Sequence, residues 1–199
     1  MSINTNSIQK SEPFHTTIRR ANKNRAGLKP DPQGAAGFCG SDFSPTTNRM
    51  YYGGKFATIM RMKVVVDTNI FLDACSGSGA ANQVIAACLR GECTPLMGTA
   101  LFAEYEDVMG RADLFRRCSL SLDERNELLD IFLSVCEWTR VYYIWRPNLP
   151  DEADNHLIEL AVAGGAEVIV TRNLRDIGGG ELQFPSLRII SPEVFLKEI

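Results

Sequence analysis

From Arg61 onward the chain alternates short β-branched runs with longer amphipathic stretches. Lys63-Val64-Val65-Val66 is the first run, and the pattern predicts further strands near Thr94–Met97, Val141–Ile144, Glu167–Val170 and Arg188–Ile190. Apolar residues at helical spacing predict helices over Ser78–Arg90, Thr99–Arg111, Leu122–Trp138 and Asp154–Gly164. Thr99 reads as a helix cap, and Ser121 with Glu124 forms the Ser-x-x-Glu box that satisfies orphan amides. Gly164-Gly165 is a helix stop, and Ser191-Pro192 opens a last helix with a cap and a first-turn proline. Such alternation is the signature of a parallel sheet with helices on its faces.

Upstream, residues 1–60 are rich in Asn, Ser, Thr, Pro and Gly and show neither a helical stripe nor a long two-residue alternation. They cannot bury enough apolar surface to offset ordering entropy. They are expected to be a disordered or mis-annotated extension, with Met60 and Met62 standing just before the first strand as alternative starts. A working basic tail is the other reading. Residues 61–199 then form one domain, as a chain of 199 residues allows.

Charge divides along the same line. Residues 1–60 hold eight Lys/Arg against three Asp/Glu, and the remainder 13 against 21. An acidic body argues against coating nucleic-acid phosphates with clustered cations and suits a site that gathers divalent metal. The six cysteines, Cys39, Cys75, Cys88, Cys93, Cys118 and Cys136, form no Cys-x-x-Cys pair and read as reduced packing residues of a cytoplasmic protein. No apolar run approaches the roughly 20 residues that cross a bilayer.

The candidate chemistry lies in carboxylates. Asp67 ends the three-valine strand, at the carboxyl edge where open α/β sheets bind ligands, although a strand-end Asp also serves as a helix cap. Asp154 shares the stripe of Leu157, Ile158 and Ala161, so it points with the buried face; the plainer role is again a cap. His156 falls off that stripe and reads as a surface residue. Glu104 and Glu106 border the apolar arc of their helix on opposite sides, and periodicity does not choose between them. Asp176 follows the strand Val168-Ile169-Val170, ahead of Gly178-Gly179-Gly180, where a plain turn Asp is the alternative. Parallel topology brings these four segments to one sheet edge. Crowded carboxylates repel unless a hard cation such as Mg²⁺ or Mn²⁺ neutralises them, which points to metal-assisted phosphodiester hydrolysis.

Asp67-Thr68-Asn69 after an apolar strand, Leu101-Phe102-Ala103-Glu104-Tyr105-Glu106-Asp107-Val108, Pro150-Asp151-Glu152-Ala153-Asp154-Asn155-His156 and Val170-Thr171-Arg172-Asn173-Leu174-Arg175-Asp176 resemble PIN-domain motifs in order and near spacing. The likeness runs from residue 62 to about 197 and is nearest to PIN-family toxins of bacterial toxin-antitoxin systems, relatives of the VapC-like ribonucleases. It implies a three-layer α/β/α sandwich with a central, mainly parallel sheet. It selects Glu104 over Glu106, makes Asp67, Glu104, Asp154 and Asp176 the metal-binding quartet, and gives Asn69, Thr171 and Asn173 supporting roles. It further implies Mg²⁺ or Mn²⁺, an RNA substrate, a homodimer and an antitoxin partner. Two departures are Thr99 where relatives often have Ser, and Ile177 where Phe is common.

Phosphotransfer proteins also place an Asp after their first strand. Phosphatases of that kind want Asp-x-Asp, and Asn69 holds the third position. A receiver would want paired acids before the strand and a lysine at a later strand end, and neither is found. A non-catalytic PIN interaction module is the remaining alternative.

Overall fold

The computed structural model describes residues 61–199 apart from 78, 117, 119, 145 and 147, together with the backbone of two short segments upstream. Those segments, β1 (Arg49–Tyr52) and β2 (Lys55–Thr58), pair antiparallel as a separate two-stranded sheet. This hairpin was not read from the sequence. The rest of the N-terminal expectation, with Cys39, Met60 and the helix start at Ser78, lies outside the described residues.

The domain is built on five strands, β3 (Lys63–Val66), β4 (Thr94–Met97), β5 (Glu137–Trp138), β6 (Val168–Val170) and β7 (Arg188–Ile190). They pair in the order β5-β4-β3-β6-β7, every pair parallel. Around them run α1 (Thr68–Cys75), α2 (Gly79–Arg90), α3 (Thr99–Gly110), α4 (Leu122–Val135), α5 (Asn155–Gly164), α6 (Leu174–Ile177) and α7 (Pro192–Phe195). α5 packs across β3, β4 and β6, while α1, α2 and α4 pack on one another and α4 reaches β4. The result is the expected three-layer α/β/α sandwich with a parallel sheet. Helices on its faces explain why Val64, Val65, Val66, Val168, Ile169 and Val170 form an unbroken apolar run rather than an alternating one.

Local signals hold at most ends. Ser121 and Glu124 form a complete capping box, Ser191 caps α7, and Gly165 closes α5 at φ 66°. A Cβ at Gly164 would lie 2.3 Å from Leu96 Cδ1, so the buried Leu96 side chain would have to shift to admit one. Burial pushes the Cys75 thiol up to about 12 and the Cys136 thiol higher still, so both are inert packing groups.

Two expectations fail. Gly98, not Thr99, is the N-cap of α3, and it offers no side-chain bond. Val141–Ile144 is not a strand. The edge strand is Glu137–Trp138, within the stretch assigned to the preceding helix, because Cys136 turns extended (ψ 140°) and β4 offers its partners early. After Thr139 donates to the Met97 carbonyl at 2.8 Å, the chain leaves the sheet edge. Tyr142, Tyr143 and Ile144 then stand 77%, 76% and 68% exposed.

Candidate active site

β3 and β6 are adjacent, yet the chain leaves β3 toward β4 on one side, while β6 leads to β7 on the other. A crevice opens at such a reversal, at the carboxyl ends of the strands. Asp67 and Thr171 are the first residues beyond β3 and β6. The ladder carries one step past each strand, with Asp67 N donating to Val170 O and Thr171 N to Ile190 O, both at 3.1 Å. The Thr171 hydroxyl and Asn69 Nδ2 each donate to Asp67 Oδ2 at 2.6 Å, and the Asn69 amide reaches Oδ1 at 3.3 Å. Asp67 therefore is the cap of α1, but its carboxylate, in a residue only 6% exposed, also takes bonds from a neighbouring strand end.

Thr68, not singled out in the sequence, joins Asp67 to the next acid. Its hydroxyl lies 2.6 Å from Glu104 Oε1 and 3.2 Å from Asp67 Oδ1. One proton cannot serve both well, and the shorter contact favours Glu104. Glu104 is half-buried and faces Thr68, whereas Glu106 is exposed. Beside it, the buried Tyr105 hydroxyl donates to Val66 O at 3.0 Å and ties α3 to the last residue of β3. The Tyr105 ring packs edge-on to Phe71 at 5.3 Å and stacks on Phe132 at 6.0 Å. An aromatic cluster thus fixes Glu104 relative to Asp67.

The reading of His156 as a surface residue is overturned. It is 8% exposed, with Nδ1 2.7 Å from Ala153 O and Nε2 2.9 Å from Glu104 Oε2. The second contact is an ion pair when the imidazole is protonated, and among the described residues neither atom has a hydrogen-bond partner. Periodicity failed because α5 is buried almost all round from Asn155 to Ala161. Asn155, also missed, is fully buried and accepts from Leu149 N at 3.0 Å, holding the preceding loop.

Asp154 stands at the N-cap position of α5 but makes no capping bond; Asp151 caps the preceding turn by accepting from Ala153 N at 2.9 Å. The Asp154 carboxylate instead meets Asn173 Nδ2 at 3.4 Å. The Asn173 backbone N–H donates to Thr171 Oγ1 at 2.8 Å, which completes a path back to Asp67. Asp67, Glu104 and Asp154 thus meet at one edge with Asn69, Thr171 and Asn173 between them. Asp176, half-buried in α6, does not enter this network: among the described residues, none of the bonds that tie the other three acids reaches it.

Electrostatics follow from this placement. Burial raises the Asp67 carboxyl above its ordinary range, opposed by its hydrogen bonds and reinforced by the charge of Glu104. Asp154 is raised by burial and by the charges of Asp67, Asp151 and Glu104. Burial also pushes Glu104 upward, but His156 and Thr68 together outweigh it and hold Glu104 below the usual range. Burial lowers His156, and its contacts with Glu104 and Ala153 more than reverse that, leaving it raised. Two acids here are poorly neutralised and one is neutralised by histidine. Among the described residues no three His, Cys, Asp or Glu side chains close into a metal cage. Mg²⁺ is usually held by one or two carboxylates with water completing its shell, so an open set of repelling carboxylates fits such an ion.

A family model described as PIN domain matches residues 63–175, more than half of the chain. The chain belongs to the PIN-domain family. The matched span of this PIN domain covers Asp67, Glu104, Asp154 and their polar connectors but stops one residue short of Asp176. Among solved structures, the chain is similar to a crystal structure of VapBC2 from Rickettsia felis bound to a DNA fragment from their promoter. The two are 18% identical with a TM-score of 0.42, over 65% of this chain and 98% of that one. No curated protein sequence matches the chain.

Proposed function

We propose that this PIN domain is a metal-dependent endoribonuclease that hydrolyses RNA phosphodiester bonds, with Asp67, Glu104, Asp154 and Asp176 as its acidic residues. The observation that carries the reading is the meeting of Asp67, Glu104 and Asp154, from three separate segments, in a partly buried network at the switch point of the sheet. Burial first, and then the charge of neighbouring acids, raises the Asp67 and Asp154 carboxyls, a clustering of acids that two separate helix caps would not need. When bound there, Mg²⁺ or Mn²⁺ supplies charge to activate a water and stabilise a leaving oxygen. Asp67 would be the central ligand, with Glu104 and Asp154 beside it and Asp176 completing the set from α6. Asn69 and Thr171 fix both the position and the ionised form of Asp67, and Asn173 orients Asp154. His156 holds one oxygen of Glu104, while Thr68 holds the other.

The same reading makes the chain the toxin of a toxin-antitoxin pair, working in the cytoplasm as a homodimer and blocked by a cognate antitoxin. The sequence resemblance supports this. Among the described residues no helix is long and apolar enough to cross a membrane. Residues 1–60 are proposed to be an extension that the chemistry does not need. Incubation of the full chain with RNA should give cleavage in Mg²⁺ or Mn²⁺ and none in chelator. Chelator-resistant cleavage, or none in either metal, would reject the mechanism.

A further inference from the structure

A cavity of about 230 Å³ opens beside the acids, next to Gly98 at the carboxyl end of β4. Leu101, Leu160, Val141 and Ile144 supply apolar walls, and Arg146 and His156 also line it. His156 belongs to both places, since Nε2 lies 2.9 Å from Glu104. Whatever occupies the cavity therefore sits one side chain from the candidate active site. Gly98 keeps its floor low: a Cβ there would come within 3.1 Å of Leu160 Cδ1.

The walls suit a flat, partly apolar group with a charge attached. Arg146 is half-exposed and is held at the rim by the buried Glu159 at 3.2 Å, a carboxylate of the same wall that partly offsets its charge while leaving the guanidinium open to solvent. Val141 and Ile144, on the segment that fails to become a strand, leave apolar surface open to water at this mouth. The volume is below the roughly 300–1,000 Å³ of drug-sized sites, which matches one nucleotide rather than a longer segment. Single-stranded RNA offers unstacked bases that insert between side chains, and phosphates that arginine recognises.

We infer that this cavity is the subsite for one nucleotide of single-stranded RNA flanking the cleaved bond, its base between the apolar walls and its phosphate toward Arg146. This rests on the proposed ribonuclease function and names the part of the site that reads the substrate.

The test uses the full chain and two measurements. Anisotropy of a labelled single-stranded oligoribonucleotide in chelator reads binding without cleavage, and sequencing the ends cut from a randomised RNA pool in Mn²⁺ reads preference. Ala100→Trp fills the mouth from the exposed start of α3, and Ile144→Asp charges the opposite, solvent-facing wall. Both should fold normally, weaken oligonucleotide binding about tenfold, and flatten a base preference that the wild type shows at one position beside the cut. Glu106→Gln should change neither readout. Wild-type binding and preference in both variants, or no positional preference in the wild type, would overturn the subsite. Wild-type binding without cleavage, with binding lost in both variants, would keep the subsite and reject the nuclease reading.

Discussion

β3 and β6 pair along their whole length, yet successive residues on them face opposite demands. From Val64 to Val66 and from Val168 to Val170 the side chains are apolar and almost fully buried. One residue further, at Asp67 and Thr171, burial is nearly as deep, but the groups are a carboxylate and a hydroxyl joined at 2.6 Å. The apolar run gains stability by leaving water. The crest loses part of that gain, because burial and the neighbouring acid both raise the Asp67 carboxyl. The two layers should therefore answer oppositely to mutation: the lower one in stability, the upper one in chemistry.

The largest expected effect is on the crest. Asp67→Asn keeps the size but removes the charge proposed to hold a cation, so cleavage at matched folded concentration should fall about 100-fold or more, the scale of metal charge stabilisation. Activity close to wild type would break the contrast. In the layer below, Ile169→Ala should cost about 2–5 kcal/mol in denaturant unfolding while cleavage per folded molecule changes little. A third variant lies between them. His156→Ala should lower cleavage and destabilise by about 1 kcal/mol, since Glu104 Oε2 then has no protein partner. His156→Gln should restore part of both, and no change in either variant would make the pair incidental.

A smaller effect separates the layers by pH. The Asp67 and Asp154 carboxyls are raised in the folded state, so the native protein takes up protons there more readily than the unfolded chain. Their contribution to metal-free stability should grow as pH falls through those raised values toward the ordinary 3.8. The His156–Glu104 pair runs differently: its contribution is lost as pH rises past the raised His156 value or falls past the lowered Glu104 value. Through the His156–Glu104 pair, metal-free melting temperature should be higher at about pH 5.5 than at about pH 8, and the His156→Gln variant should show a weaker dependence. An unchanged slope in that variant would remove His156 as its source. Smallest of all, deletion of residues 1–58 should leave melting temperature and cleavage nearly unchanged; a large drop would give the extension a structural role.

Much of the lower layer was legible in the sequence. Three valines and an Asp set the position of β3, and strands separated throughout by helical stretches leave little but a parallel sheet. The capping box and the Gly165 stop are local chemistry, readable without tertiary context. The edge strand was not, because Val141–Ile144 has better strand composition than Glu137–Trp138, and only the reach of β4 decides which residues pair. His156 was illegible for a related reason. A helix buried on all sides has no polar face, so leaving the apolar stripe does not mean reaching solvent. Periodicity alone did not separate Glu104 from Glu106; the motif resemblance favoured Glu104, and the contacts that set it apart in the fold are with Thr68 and His156, residues 36 and 52 positions away in the chain.

If a cation binds at the crest, it should relieve the burial and neighbouring charge that raise Asp67 and Asp154. The most direct measurement is thermal unfolding of wild type and Asp67→Asn side by side, without metal and with a saturating titration of Mn²⁺. Wild type should gain stability with Mn²⁺, by about 2.7 kcal/mol at a hundredfold excess over Kd. Asp67→Asn should be the more stable of the two without metal and should respond little to Mn²⁺. Equal stabilisation of both proteins by Mn²⁺, or a metal-free variant less stable than wild type, would contradict the account.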